Sequence, residues 1–146
     1  MPHDFRYRRR VEFADTDTAD VAHFTAFFRF MEEAEHAFYR SLGGVAYAWE
    51  EDRAVGMPRV AASCEYLRPL RYGDEVIVLL TVVERTESAI GYVVEFQLDD
   101  GAEPVRVATG AMTVVYAERP HGTADWRAAP LPELFRERVQ VEPNRR

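Results

Sequence analysis

An α+β fold, with one long helix packed on an antiparallel sheet, is what this sequence predicts, on three observations. Apolar residues recur at helical spacing over one long stretch, from about Thr25 to Leu42. On both sides of it the apolar pattern has period two, or runs unbroken for the length of a strand. The later strand-like stretches are joined mainly by short turns, which is not the alternating order of a doubly wound sheet.

The first element is "FRYRRRVEF", residues 5–13. It places Phe5, Tyr7, Val11 and Phe13 on one side and Arg6, Arg8, Arg10 and Glu12 on the other, the pattern of a strand with one solvated face. An arginine-rich arm for nucleic acid is the poorer reading in a chain of net charge −7. In the helix, Phe27, Met31, Ala34, Phe38 and Leu42 form a stripe that Phe30 and Ala37 widen, so other structure should wrap it. Thr25 stands where a capping oxygen is needed, and Gly43–Gly44 where a helix stops.

After a variable stretch containing Met57–Pro58 come "RVAASCEYL", "EVIVLLTVVE", "IGYVVEFQL" and "VRVATGAMTVVY". In the third, Ile90, Tyr92, Val94, Phe96 and Leu98 share a face. Asp100–Gly101 and Arg71–Asp74 mark reversals. "PLPELFRERV" predicts a short helix with Pro132 at its start. The chain of 146 residues reads as one domain, residues 1–146, with a core over about 5–117 and a C-terminal extension, 118–146. One helix leaves a sheet edge uncovered, and a homodimer joined edge to edge would cover it.

Composition narrows the chemistry. All 18 basic residues are arginine. Schiff-base, P-loop and Ser–Lys chemistry are therefore excluded. Ser41, Ser63 and Ser88 lie in no GxSxG turn. His3, His23, His36 and His121 form no metal-binding pair. The single cysteine, Cys64, allows no internal disulfide and reads as a small buried apolar residue. No run is long enough to span a bilayer, and the first residues lack the apolar core of a secretory signal; no membrane association is expected, and the cytoplasm is the expected location. Carboxylates remain.

Three of them, Asp15, Asp17 and Asp20, crowd the approach to the helix. A metal loop is not expected, because the glycine and terminal glutamate of an EF-hand are missing. From these residues alone, Asp17 reads as a helix-entry cap, Asp15 as a turn former and Asp20 as a solvated loop residue. Glu32, Glu33 and Glu35 read as partly solvated surface.

Asp15–Thr16–Asp17, followed by Val21, Phe24, Phe27, Phe30 and Glu32–Glu33–Ala34, resembles the 4-hydroxybenzoyl-CoA thioesterase family of hotdog-fold acyl-CoA thioesterases. "CEYLRPLRYGDEV", Cys64 to Val76, is similar to that family's strand, proline turn and Gly–Asp entry to the next strand. Together the two cover about residues 7–117. The resemblance implies a helix wrapped by a roughly five-stranded antiparallel sheet that continues across a homodimer, alone or within a homotetramer. It implies hydrolysis of an acyl-CoA to a carboxylic acid and coenzyme A, with neither metal nor cofactor. Asp17 aligns with the catalytic aspartate, acting as base or nucleophile, and the backbone N–H of Phe24 with the donor to the thioester carbonyl.

Val21 and Phe27 are candidate substrate contacts. His23 either binds substrate, orients Asp17 or is structural. Arg85, in a turn between strands, is the candidate for the coenzyme phosphates, in competition with Arg59, Arg68 and Arg71. The sequence departs from the family at Asp20, usually glycine, at Glu35, often arginine, and at His23–Phe24, more commonly an aromatic pair. Two other functions stay open on this fold: acyl-CoA binding without turnover, and dehydration of an acyl thioester, whose pattern the "DTD" context fits poorly.

Overall fold

The unbroken apolar run after Glu75 becomes the centre of a sheet. A computed structural model describes residues 4–44 and 46–143. It contains β1 (Asp4–Arg10), a 3-10 turn (Phe13–Asp15), α1 (Ala26–Leu42), β2 (Tyr47–Trp49), β3 (Arg53–Gly56), β4 (Arg59–Tyr66), β5 (Glu75–Arg85), β6 (Ala89–Asp99), β7 (Val105–Val115), β8 (Ala117–Pro120), β9 (Arg127–Ala128) and α2 (Glu133–Arg138). The main sheet is antiparallel, in the order β1-β5-β6-β7-β4. His3 lies outside the described residues.

Alternation decides what this sheet buries. Val76, Val78, Leu80 and Val82 of β5 and Ile90, Tyr92, Val94 and Phe96 of β6 are all buried in one core with α1. On the helix, Phe27, Phe30, Met31, Ala34, Phe38 and Leu42 are no more than 5% exposed. Each large apolar side chain so buried contributes about 1.5–3 kcal/mol, and this contact is the main cohesive force of the fold. Gly110 on β7 lets the helix approach closely: a Cβ there would stand 2.8 Å from the sulfur of Met31.

The helix stops as its sequence predicts, at Gly43 with φ 88°. Its start differs. Thr25 has a helical backbone and makes no capping bond; its hydroxyl is engaged by His23 instead. The first strand also differs. It ends at Arg10, and the chain turns away, leaving Phe13 80% exposed. Arg9 takes an inner-side position. Two of the outer arginines are neutralised, Arg8 by Asp99 at 2.6 Å and Arg10 by Glu75 at 2.9 Å, so the face is not a bare basic stripe.

A second, four-stranded sheet, β2-β3-β8-β9, was not foreseen. Behind it, Leu131, Phe135 and Val139 join the main core. The segment after residue 117, expected as an extension, thus closes the core. Among the described residues no helix is long and apolar enough to cross a membrane.

Candidate active site

Asp15 anchors the loop that leads into α1. Its side chain is 4% exposed, with Oδ2 2.5 Å from Arg9, Oδ1 3.0 Å from Arg29, and the N–H of Glu12 donating to Oδ2 at 2.8 Å. Burial pushes its pKa up, but the donors from Arg9, Glu12 and Arg29 outweigh that and hold it below the ordinary carboxylate value. Arg9 also reaches Glu33 at 3.0 Å and lies 4.7 Å from the ring centre of Phe30. Asp15 is structural, as its sequence position suggests.

The backbone closes a small loop on this anchor. Asp17 N–H donates to Val21 O at 2.9 Å, His23 N–H to Asp15 O at 2.7 Å, and Ala22 N–H to Leu70 O at 2.7 Å. Asp20, exposed in this loop, has φ 63°. That left-handed conformation favours glycine, and aspartate is one of the few other residues that tolerate it.

Asp17 is half-buried and pairs with no arginine among the described residues; its Oδ1 accepts the Ala19 N–H at 2.8 Å. It lines a cleft of about 400 Å³. Val21, Ala22, Phe24 and Phe27 line it from the same loop and helix start, and Tyr66, Leu67, Arg68 and Pro69 from the end of β4 and the loop after it. The ring of Tyr66 stands edge-on to Phe27, centres 5.0 Å apart, and its hydroxyl donates to the Phe24 carbonyl at 2.8 Å. The N–H groups of Phe24 and Phe27 have no acceptor among the described residues. Both stand at the positive end of a 17-residue helix.

The three carboxylates therefore do different things: Asp15 holds two arginines, Asp17 faces a cleft, and Asp20 meets solvent. Among the described residues no three His, Cys, Asp or Glu side chains come together in a way that could hold a metal ion.

His23 lies outside the cleft lining. Its Nδ1 is 2.7 Å from Thr25 Oγ1, and its ring centre lies 4.6 Å from that of Phe24, tilted by 33°, so it braces the helix entrance. Arg85 is also elsewhere. Its guanidinium donates to the carbonyls of Arg136 and Val139, at 2.5 and 2.8 Å, at the end of β5 remote from the turn at 71–74. It ties down α2 and lies outside the cleft lining. Of its competitors, Arg59 is held by Glu35, whereas Arg68 lines the cleft and pairs with no carboxylate among the described residues.

Glu35 corrects the sequence expectation: it is 1% exposed, not solvated, and Arg59 lies 2.8 Å from it. Burial pushes its pKa up, and Arg59 partly opposes this. Behind it the hydroxyls of Tyr39 and Tyr92 meet at 3.0 Å. Cys64 is half-buried, and burial raises its thiol pKa. The sequence reading did not assign Tyr66 to the site, although it lies within the second motif, "CEYLRPLRYGDEV".

Residues 11–139 match the family described as the thioesterase-like superfamily. The chain belongs to that superfamily. This thioesterase-like enzyme is 27% identical over 142 residues to the 1,4-dihydroxy-2-naphthoyl-CoA hydrolase of Synechococcus elongatus, covering 94% of this chain and 96% of the relative. The corresponding hydrolase of Rippkaea orientalis is 33% identical over 88 residues, 59% of this chain and 64% of that one. Among solved structures, 4-hydroxybenzoyl CoA thioesterase from Pseudomonas sp. strain CBS-3 superposes with a TM-score of 0.77 at 16% identity, over 92% of this chain and 98% of that one. The fold is the hotdog fold expected from the sequence.

Proposed function

We propose that the chain hydrolyses an acyl-CoA thioester at the Asp17 cleft, releasing a carboxylic acid and coenzyme A. One observation carries this reading. A carboxylate without an ion-pair partner and an N–H without an acceptor, that of Phe24 at the head of α1, line the same largely apolar cleft.

A thioester carbonyl is electrophilic and its thiolate leaves readily, so the chemistry needs only a carboxylate and a donor for the oxygen. The Phe24 N–H takes the developing oxyanion, a contribution of about 3 kcal/mol for a well-placed donor. Asp17 either attacks the carbonyl carbon, giving a mixed anhydride that water then opens, or takes the proton from an attacking water. Neither route needs a metal or a cofactor. Phe24, Phe27 and Tyr66 suit a flat aryl acyl group, in keeping with the naphthoyl and benzoyl substrates in the names of the relatives. Val21 completes that wall, and Arg68 meets a coenzyme phosphate.

The chain works as a homodimer, alone or within a homotetramer. β4 is an edge of the main sheet, and Val60, Ala61, Ala62 and Ser63 on it are exposed and uncharged, which suits pairing with a second copy.

The test is a panel of aryl and aliphatic acyl-CoA esters with titration of the released thiol. Turnover of aroyl-CoA esters is expected. Tight binding without thiol release would instead favour a sensor, and hydration of an enoyl-CoA a dehydratase.

A further inference from the structure

The carbonyl of Phe24 is left over by the helix. In a regular start the Phe28 N–H would take it, but Phe28 donates to Thr25 O at 3.1 Å, and so does Arg29 at 3.4 Å. Among the described residues the single donor to Phe24 O is the hydroxyl of Tyr66, at 2.8 Å, from 42 residues away. The preceding backbone is fixed from the other side, by His23 N–H on Asp15 O at 2.7 Å and Ala26 N–H on His23 O at 2.8 Å. The Phe24 N–H thus sits in a peptide unit clamped at both flanks. One clamp is internal to the loop, and the other is Tyr66.

We propose that Tyr66 is a positioning residue for thioester hydrolysis, its hydroxyl fixing the Phe24 carbonyl so that the Phe24 N–H is aimed at the substrate oxygen. This rests on the role proposed above for that N–H. Three features fit a tuned contact. The Tyr66 ring is packed edge-on against Phe27, so its direction is set. Its position in the cleft wall puts it beside the substrate without placing it among the reacting groups. Although Tyr66 is 44% exposed, partial desolvation in the cleft wall, with Cys64 adjacent, pushes its pKa up to about 12, so the hydroxyl remains a donor throughout the working range of an enzyme. An oxyanion donor acts through direction as much as distance, so a small rotation of residue 24 weakens the transition state more than substrate binding.

Tyr66→Phe keeps the ring and removes the donor. The measurements are kcat and KM on the best ester of the panel, and affinities for two unreactive coenzyme A derivatives. One is a ketone with a methylene between sulfur and carbonyl; the other is an alkyl thioether without a carbonyl oxygen. The expected result is a fall in kcat of about tenfold, short of the ~10²–10³-fold loss of a whole oxyanion donor, with KM within twofold. Affinity for the ketone should fall severalfold, and affinity for the thioether should stay within twofold. A kcat within twofold of the parent overturns the proposal, and so does an equal loss of affinity for both derivatives, which would make Tyr66 only a wall of the cleft. Asp17→Asn run alongside separates the two levels. If it abolishes turnover while Tyr66→Phe changes nothing, only the positioning role fails; if it leaves turnover intact, the function proposed for the cleft fails first.

Discussion

Arg9 and Asp15 meet at 2.5 Å, on a carboxylate that is 4% exposed. This contact sorts the acidic cluster at the helix entrance. With Arg29 on its other oxygen, Asp15 is compensated in place, and Asp17 two residues later is left without an arginine, facing the cleft. The crowding seen in the sequence becomes a division between one structural and one available carboxylate.

Asp15→Asn should destabilise the protein by about 3 kcal/mol at pH 7, the low end for breaking a buried pair, since Arg29 stays half in water. Because the folded pKa of Asp15 lies below its unfolded value, its contribution is present above about pH 4 and fades as pH falls through the folded value. Thermal unfolding followed from pH 7 to pH 2 should show a steep acid limb in the parent and a flatter one in the variant.

Arg59→Met removes the ion-pair partner of Glu35 and leaves a buried carboxylate with no compensating charge, at a cost of about 3–5 kcal/mol at neutral pH. A raised folded pKa means that Glu35 is best tolerated below its unfolded value and costs stability as pH rises through the folded one. The variant should therefore recover much of its loss near pH 4. Equal losses at pH 4 and pH 8 would remove Glu35 from the explanation.

Arg85 and Arg68 separate structural from binding roles. Arg85→Ala should cost about 1–3 kcal/mol through two lost bonds to carbonyls, with KM for an acyl-CoA unchanged. Arg68→Ala should raise KM severalfold and leave the melting temperature alone. Steady-state kinetics and thermal melts on both variants check the pair.

Asp20→Gly should raise stability by about 0.5–1 kcal/mol, because φ 63° costs a glycine nothing. A melting point raised by about 2–4 °C is the expected signature.

Much of the fold could be read in advance where patterns are long. Seven or more residues of alternation, of unbroken apolar character or of helical spacing identify α1, β1 and β4 to β7, and Gly43–Gly44 marks the helix stop. The second sheet escaped because its strands are two to four residues long, too short for any period to emerge. Arg9 and Glu35 escaped for another reason. Arg9 is turned inward by Asp15, six residues on, and by Glu33, 24 residues on, and Glu35 by Arg59, also 24 residues away; strand alternation and helical spacing carry no trace of such pairing. At the cleft, Asp17, Val21, Phe24 and Phe27 follow from one motif. The opposite wall, from Tyr66 to Pro69, depends on where β4 ends against α1, which only packing decides.

The claim beneath all of this is that the side chain of residue 17 acts on a thioester whose oxygen is received at the opening of α1. Asp17→Asn, assayed by thiol release on the best acyl-CoA of the panel, tests it most directly. A fall in kcat of about 10²–10⁴-fold, with melting temperature within about 3 °C of the parent, is the expected outcome. A folded variant that turns over at nearly the parental rate would contradict it.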